Sequence, residues 1–501
     1  MAAVSLIALA LHFALALHLT AAAGTPTAAS ASGVDASAAH WPQWRGPAGT
    51  GVAPAADPPL RWSEETHVRF KVEIPGRGLS TPVIWGDTIY LTSAVPAAVV
   101  EADAATESNA ADAAGNEAGH GHAPGAHDNV STSQPQRFVV LALDRHDGRL
   151  LWERTVRTRR PHESTHATGS WASPSAVTDG NRLFVSFGSQ GLYALDLDGK
   201  LRWEADLGDM QTRHGHGEGS SPALHGNTLV VNWDHQGESF LAALDARDGT
   251  LRWKVPRDEI TSWSTPLLVE HGGRVQVVVS ATGRVRAYDL ADGSPIWQCA
   301  GLSRNVVASP VAADGWVYVA NSYDWQAMLA IRLDGAAGDI TGTDRVAWTL
   351  DRHTPYVPSP VLHDGRLFFL KHNHGILSSV DARSGKPLFG PRRLDGIGEV
   401  FASPVAAAGR LYIVSRNGNT AVLSAEPPFE ALAINRLDDG FSASPALAGD
   451  TIYLRGERYL YALAAAANVP AGQGSAKRSR LDGSAAPVVA GATRSSARAT
   501  E

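Results

Sequence analysis

Eight copies of one unit, each of about 45 residues and each reading as four short strands, predict an all-β chain folded as an eight-bladed β-propeller. In residues 171–203, WASPSAVTDGNRLFVSFGSQGLYALDLDGKLRW, apolar runs at Ala172–Val177, Leu183–Phe187, Gly191–Asp196 and from Leu201 are parted by Asp179-Gly180 and Asp198-Gly199. Asp-Gly between apolar runs is a strong hairpin signal, because tight hairpin turns need residues that accept positive φ. The Ser/Thr-Pro opening of the unit recurs, with proline at 82, 174, 222, 266, 310, 360, 404 and 445. The ends supply the third observation. The last unit, SPALAGDTIYLRGERYLYAL, has three strands, whereas HVRFKVEIPG at 67–76 stands alone before the first unit. Pairing the two closes a ring and removes both exposed edges, so a ring is expected rather than an open solenoid.

Taken in chain order, residues 1–23 are expected to be an export signal. Residues 4–19 are almost wholly apolar and precede small residues at 20–24, and such a run falls short of the roughly 20 residues that span a bilayer. The only cysteine is Cys299, so none follows the apolar segment to accept a lipid. A disulfide within the chain and a cysteine cluster for metal are excluded as well. A flexible Ala/Ser/Thr/Gly-rich spacer is expected at 24–40, the propeller at 41–464 and a disordered tail at 465–501. Residues 94–136 in blade 1 carry six acids and no Lys or Arg, and read as a disordered acidic insert. The formal net charge is −7, and outside this insert and the basic tail the charges nearly balance, which argues against capture of nucleic acid.

The segment A-L-D-x-x-D-G-x-x-x-W occurs at Ala142–Trp152 and Ala243–Trp253, with looser copies ending at Trp203, Trp297, Trp348 and Phe389. It resembles the tryptophan-docking repeat of the pyrroloquinoline-quinone (PQQ)-like β-propellers, and WPQWRGPAGTGV at 41–52 resembles the opening of secreted members of that superfamily. The resemblance spans about residues 41–464 and implies the propeller fold. The superfamily holds both quinoprotein dehydrogenases and the propeller subunit of the outer-membrane β-barrel assembly machinery. From residue chemistry alone, the aromatic that closes each unit, Phe70 included, is a large apolar plug between neighbouring sheets. Cys299 lies two residues after Trp297 on the same strand face and is expected to be buried and inert.

Antiparallel strands alternate direction, so with strands A to D in chain order the tight A–B and C–D turns mark one end of each blade. The B–C and inter-blade loops mark the other. From closing aromatic to next proline takes 12 or 13 residues at four junctions, but 22 at 152→174 and 19 at 203→222. These consecutive long loops hold His162, Glu163, His166 and Trp171, then His214, His216 and Glu218. Blade 3 adds Asp234 and His235 at the same end, and blade 6 adds His372 and His374. Positions before the Ser-Pro openings add Trp263, Arg304, Asn305, Tyr356 and Glu399. Loops on a rigid scaffold are where binding concentrates, so these residues are expected to line a channel mouth. His166, His214, His216 and Glu218 are the candidate ligands for a divalent metal, without the fixed spacing that a helix would impose.

The expected function is that of an exported, non-catalytic propeller, periplasmic or extracellular, that binds a protein, peptide or glycan at this mouth. It is expected to act as a monomer, without nucleic acid and without stable membrane insertion once the signal is cleaved. No nucleophile–base pattern is recognisable. The alternative is an enzyme acting at the same face. Quinoprotein dehydrogenases of the resembled superfamily commonly present a vicinal cysteine disulfide to PQQ and hold calcium near a catalytic aspartate. One cysteine rules out that disulfide and the calcium set finds no match, so PQQ is not expected as a cofactor. A metal-dependent hydrolase or lyase would instead use the histidines and glutamates of the long loops.

Overall fold

The computed structural model describes residues 40–98 and 129–465. The segments read as signal peptide, spacer and tail lie outside these residues except at His40 and Ala465, and so does the middle of the acidic insert. Among the described residues no helix is long and apolar enough to cross a membrane. Eight antiparallel four-stranded sheets form the blades. Blade 2 shows the pattern: Val177–Thr178, Arg182–Ser186, Leu192–Asp196 and Leu201–Ala205 pair in chain order. Middle strands such as Phe240–Asp245 are buried along their whole length because a neighbouring sheet covers each face, whereas the outer strand Leu251–Pro256 is largely exposed. In blade 8, Val68–Glu73 pairs antiparallel with Tyr459–Ala464 and supplies the strand that the last unit lacks. The ring is closed by the N-terminal strand.

The closing aromatics dock between blades. Indole N–H groups of Trp152, Trp203, Trp253 and Trp348 donate to carbonyls of the next blade, at Leu197, Ala246, Leu290 and Ala382, over 2.9–3.1 Å. Each ring also packs on the turn glycine of that blade. A Cβ on Gly199, which has φ +85°, would lie 2.8 Å from Trp152, so this turn needs glycine for its backbone and for the approach of the ring. Trp297 differs, donating to Gln276 Oε1 within its own blade. Cys299 is 1% exposed in the same cluster, and burial pushes its thiol up to about 11.

A belt of side chains lines the inner end of the blades. The backbone N–H of Thr81 donates to Ser175 Oγ, Ser175 to Ser221, Ser221 to Thr265, Thr265 to Ser309, Ser309 to Ser359, Ser359 to Ser403, and Ser403 to Ser444, each at 2.9–3.0 Å. The belt corrects one repeat boundary. In blade 2 the equivalent residue is Ser175, which follows Pro174, whereas in the other blades it precedes the proline. Across the closure seam between blades 8 and 1, the buried Arg455 donates to Ser80 Oγ at 2.6 Å and to Thr92 O at 2.7 Å.

Two further departures from the repeat have physical causes. The insert drawn at 94–136 followed a change in composition, but strand pairing continues to Pro96↔Gln136, and Asn129–Val130 pairs with Thr165–His166. Both ends of that segment are therefore paired strand. The 50-residue spacing from Pro310 to Pro360 contains Gly338–Asp339, which adds a parallel fifth strand to the outer edge of blade 4. At the turn end, the segment after His40 crosses the ring. Trp41 bridges Ile84 in blade 1, Pro42 accepts from Thr178 in blade 2, Thr50 accepts from Leu362 in blade 6, and Val52 pairs with Ala406 in blade 7. Arg45, 2% exposed, donates from its guanidinium to the carbonyls of Pro360 and Pro404. The WPQWRGPAGTGV motif thus becomes a strap that ties opposite sides of the ring.

Candidate functional site

At the loop end the channel opens into a cavity of about 350 Å3. Trp44 of the strap lines this cavity and also a second one of about 230 Å3 on the turn side, so it lies between the two. The mouth cavity has walls of Trp263, Tyr356 and Phe401, the imidazoles of His166 and His216, and belt hydroxyls from Ser175 to Ser444. Trp263 is held by its indole N–H, which donates to Gly217 O at 2.7 Å. Tyr356 is positioned by backbone hydrogen bonds with Ala308 and His372, and its ring sits 5.6 Å from that of Tyr323 and 4.8 Å from that of His372. Burial raises its phenol to about 12, so it stays protonated. His166 and His216 meet edge to face with ring centroids 4.9 Å apart. The His166 Nδ1 accepts from the Thr168 N–H, which puts its proton on Nε2.

The two long loops use most of their polar side chains on one another. The Glu163 carboxylate accepts from both the N–H and the hydroxyl of Thr212. Trp171 donates its indole N–H to Glu163 O, and His162 Nε2 donates to Met210 O at 2.7 Å. Glu218 accepts from the N–H and hydroxyl of Ser189, packed so closely on Gly188 that a Cβ there would overlap its carboxylate. Burial pushes the Glu218 carboxyl up to about 7 against the pull of those donors. Asp234 and His235 do not line the cavity, contrary to the sequence reading. Asp234 is fully buried in a two-pronged ion pair with Arg257 at 2.7 and 3.0 Å, with Ser262 donating to it as well. His235 is 7% exposed; its Nδ1 accepts from the Gln211 and Gly237 N–H groups. Both point inward because a folded loop must satisfy its own buried groups.

The opposite side of the mouth is more open. Arg304 forms a two-pronged pair with Asp324, Glu399 accepts from Asn373 and Arg416, and Asn305 is buried with φ 53°. His372 stacks between Tyr356 and His374, and burial and the neighbouring His372 lower the pKa of His374. Beside them Tyr323 and Trp325 are 42% and 54% exposed, the large aromatics left open at this end. The sequence reading placed Tyr323 and Trp325 on the blade 5 B–C loop at this end without choosing them as binding residues, and it missed Trp44 and the belt residues. An alignment of the eight inner strands would have found the belt, while nothing local marks Trp44.

His214 and His216 rings approach to 5.4 Å, but the metal set drawn from His166, His214, His216 and Glu218 does not converge, since Glu218 is engaged by Ser189. Among the described residues no group of three or more His, Cys, Asp or Glu side chains could hold a metal ion.

A family model described as outer membrane protein assembly factor BamB matches residues 60–240, 136–298 and 237–467. The outer membrane protein assembly factor BamB of Yersinia pestis is 22% identical over 300 residues, which cover 58% of this chain and 60% of that protein. That of Moranella endobia (strain PCIT) is 26% identical over 262 residues, covering 49% and 61%. The chain thus spans about three-fifths of the length of the curated relatives it matches. The quinohemoprotein alcohol dehydrogenase from Comamonas testosteroni superposes with a TM-score of 0.58 at 12% identity, covering 88% of this chain and 83% of that one, a likeness of fold. PQQ, which such folds can hold, does not fit the donor set here. It is a tricarboxylated quinone, and no Lys or Arg lines the mouth cavity.

Proposed function

This chain belongs to the PQQ-repeat family of outer membrane protein assembly factor BamB, and from that premise we propose a non-catalytic propeller, exported to the periplasm or beyond, that captures a partner protein at its mouth. One observation carries the reading. Tyr323 and Trp325 stand exposed beside Tyr356 at the rim, where an aromatic surface without catalytic groups suits docking of another protein. The kinship to an assembly factor supports the same class of partner. The test places a photo-crosslinking amino acid at Trp325 and, separately, at Asp292 on the turn end, in cells that produce the full chain. Adducts with a discrete protein at 325, lost when Tyr323 is also replaced by Ala, are the expected outcome. Equal adducts from both positions, or none, would overturn it. Incubation with PQQ, calcium and an alcohol should yield no dye reduction; saturable reduction would favour the enzyme instead.

A further inference from the structure

Below the aromatic rim, the mouth cavity has a chemistry of its own. Of its lining side chains, eight are serine or threonine hydroxyls, four are the aromatics Trp44, Trp263, Tyr356 and Phe401, and none is Lys or Arg. The one carboxyl, Glu218, is taken up by the Ser189 N–H and hydroxyl. Beyond the imidazoles of His166 and His216, an anionic ligand finds no cationic side chain there. A peptide finds little main chain to pair with, because the inner-strand N–H groups from Thr81 to Ser403 already donate around the belt. The belt leaves something else available. Each belt oxygen accepts one N–H, so the proton of each hydroxyl remains to be donated. Five such groups, Ser175, Ser221, Thr265, Ser403 and Ser444, line the cavity.

Convergent hydroxyls beside aromatic rings complement a ligand that alternates hydroxyl groups with C–H faces. The volume lies in the range of small-ligand pockets, about 300–1,000 Å3. We propose that the mouth cavity binds one or two rings of an uncharged saccharide, with its hydroxyls on the belt and its C–H faces on Trp263 and Tyr356. This site shares Tyr356 with the rim but does not rest on a partner docking at Tyr323 and Trp325, so a failed crosslink there leaves it untouched.

The test titrates the purified chain with maltose, cellobiose and chitobiose, read by calorimetry and tryptophan fluorescence. At least one of them should bind with a Kd of about 1 mM. Trp263→Ala should weaken that binding tenfold or more, and Ser442→Ala, which removes a cavity hydroxyl outside the belt, several-fold. Should Trp263→Ala fail to fold, Trp263→Phe and Ser442→Ala decide the matter, with thermal melts as the folding control. Cyclohexanol and glucuronate should bind at least tenfold more weakly than the best disaccharide. The proposal is overturned if none of the three disaccharides saturates the protein, if either control binds equally well, or if binding survives the cavity variants unchanged.

Discussion

The mouth has two sides made from the same inter-blade and B–C connections, and their side chains do opposite things. Over blades 2 and 3, Glu163, Glu218, Asp234, His162 and His235 turn inward and hold the loops to one another. Over blades 5 and 6, short connections hold Tyr356 between Tyr323 and His372 and leave Tyr323 and Trp325 largely in solvent. Loop length explains Glu163, Glu218 and His162, whereas Asp234 and His235 lie on a six-residue loop and turn inward onto Arg257 and Gln211 of the adjoining connections. A long connection can fold back and buries its own backbone, so its polar side chains are recruited to satisfy orphaned N–H and C=O groups. The five-residue loop at 322–326 buries less of itself and presents Tyr323 and Trp325. Histidine- and glutamate-rich loops are therefore the scaffold here, and the aromatic-bearing short loops are the surface offered to a partner.

Breaking the scaffold side should cost stability. Asp234→Ala strands Arg257 in the interior without its carboxylate, with an expected loss of about 3–5 kcal/mol in denaturant unfolding. The paired change Asp234→Ala with Arg257→Met should recover much of it, and a single variant as stable as the parent would place Asp234 at the surface after all.

The same side should make stability depend on pH. Burial raises Glu218 from 4.5 to about 7, and does the same to Glu259, which is buried in the connection between blades 3 and 4 beside Arg286. Between those values the folded chain holds protons that the unfolded chain has released, so the stability these two groups contribute is full below about pH 4.5 and is lost as pH rises through about 7. Each group contributes on the order of 1–3 kcal/mol to that fall. Melting curves of Glu218→Gln should show a flatter profile across this window; an unchanged slope would mean that the Glu218 carboxyl is solvated.

Glu163→Ala should have a smaller effect, about 1–2 kcal/mol, by leaving the Thr212 donors without an acceptor. Faster amide exchange at Thr212 and faster proteolysis between residues 206 and 220 would report it, and unchanged exchange would count against the pinning. On the other side of the mouth, Tyr323→Ala and Trp325→Ala should each change stability by no more than about 0.5 kcal/mol, while Tyr323→Ala abolishes the crosslink from position 325 to the partner. A large loss of stability from either would make these rings structural and erase the contrast.

How legible the molecule was in its sequence follows the same division. The Ser/Thr-Pro opening is written eight times over and is backed by recurrent Asp-Gly turns and five closing tryptophans, so a local irregularity such as Ser175 shifting past Pro174 does not obscure the period. The lone strand at 68–73 and the three-stranded last unit identified each other as partners, and Val68–Glu73 does pair with Tyr459–Ala464. The histidines were legible only as a concentration over two long loops, and concentration says nothing of direction.

The sequence by itself determined the blade, the blade number, the closure and the aromatic plugs, because each depends on contacts between neighbouring units that recur at a fixed interval. Tertiary structure alone decided the strap and the lining of the cavity. Arg45 finds Pro360 O and Pro404 O more than 300 residues away, Trp44 comes to lie between the two cavities, and Asp234 turns from the mouth to Arg257. Each of these contacts occurs once, between residues that share no period. Side chains on loops also lack the alternation that tells a strand residue which way it points. Which polar groups face a ligand and which face one another is set by the packing of the whole ring.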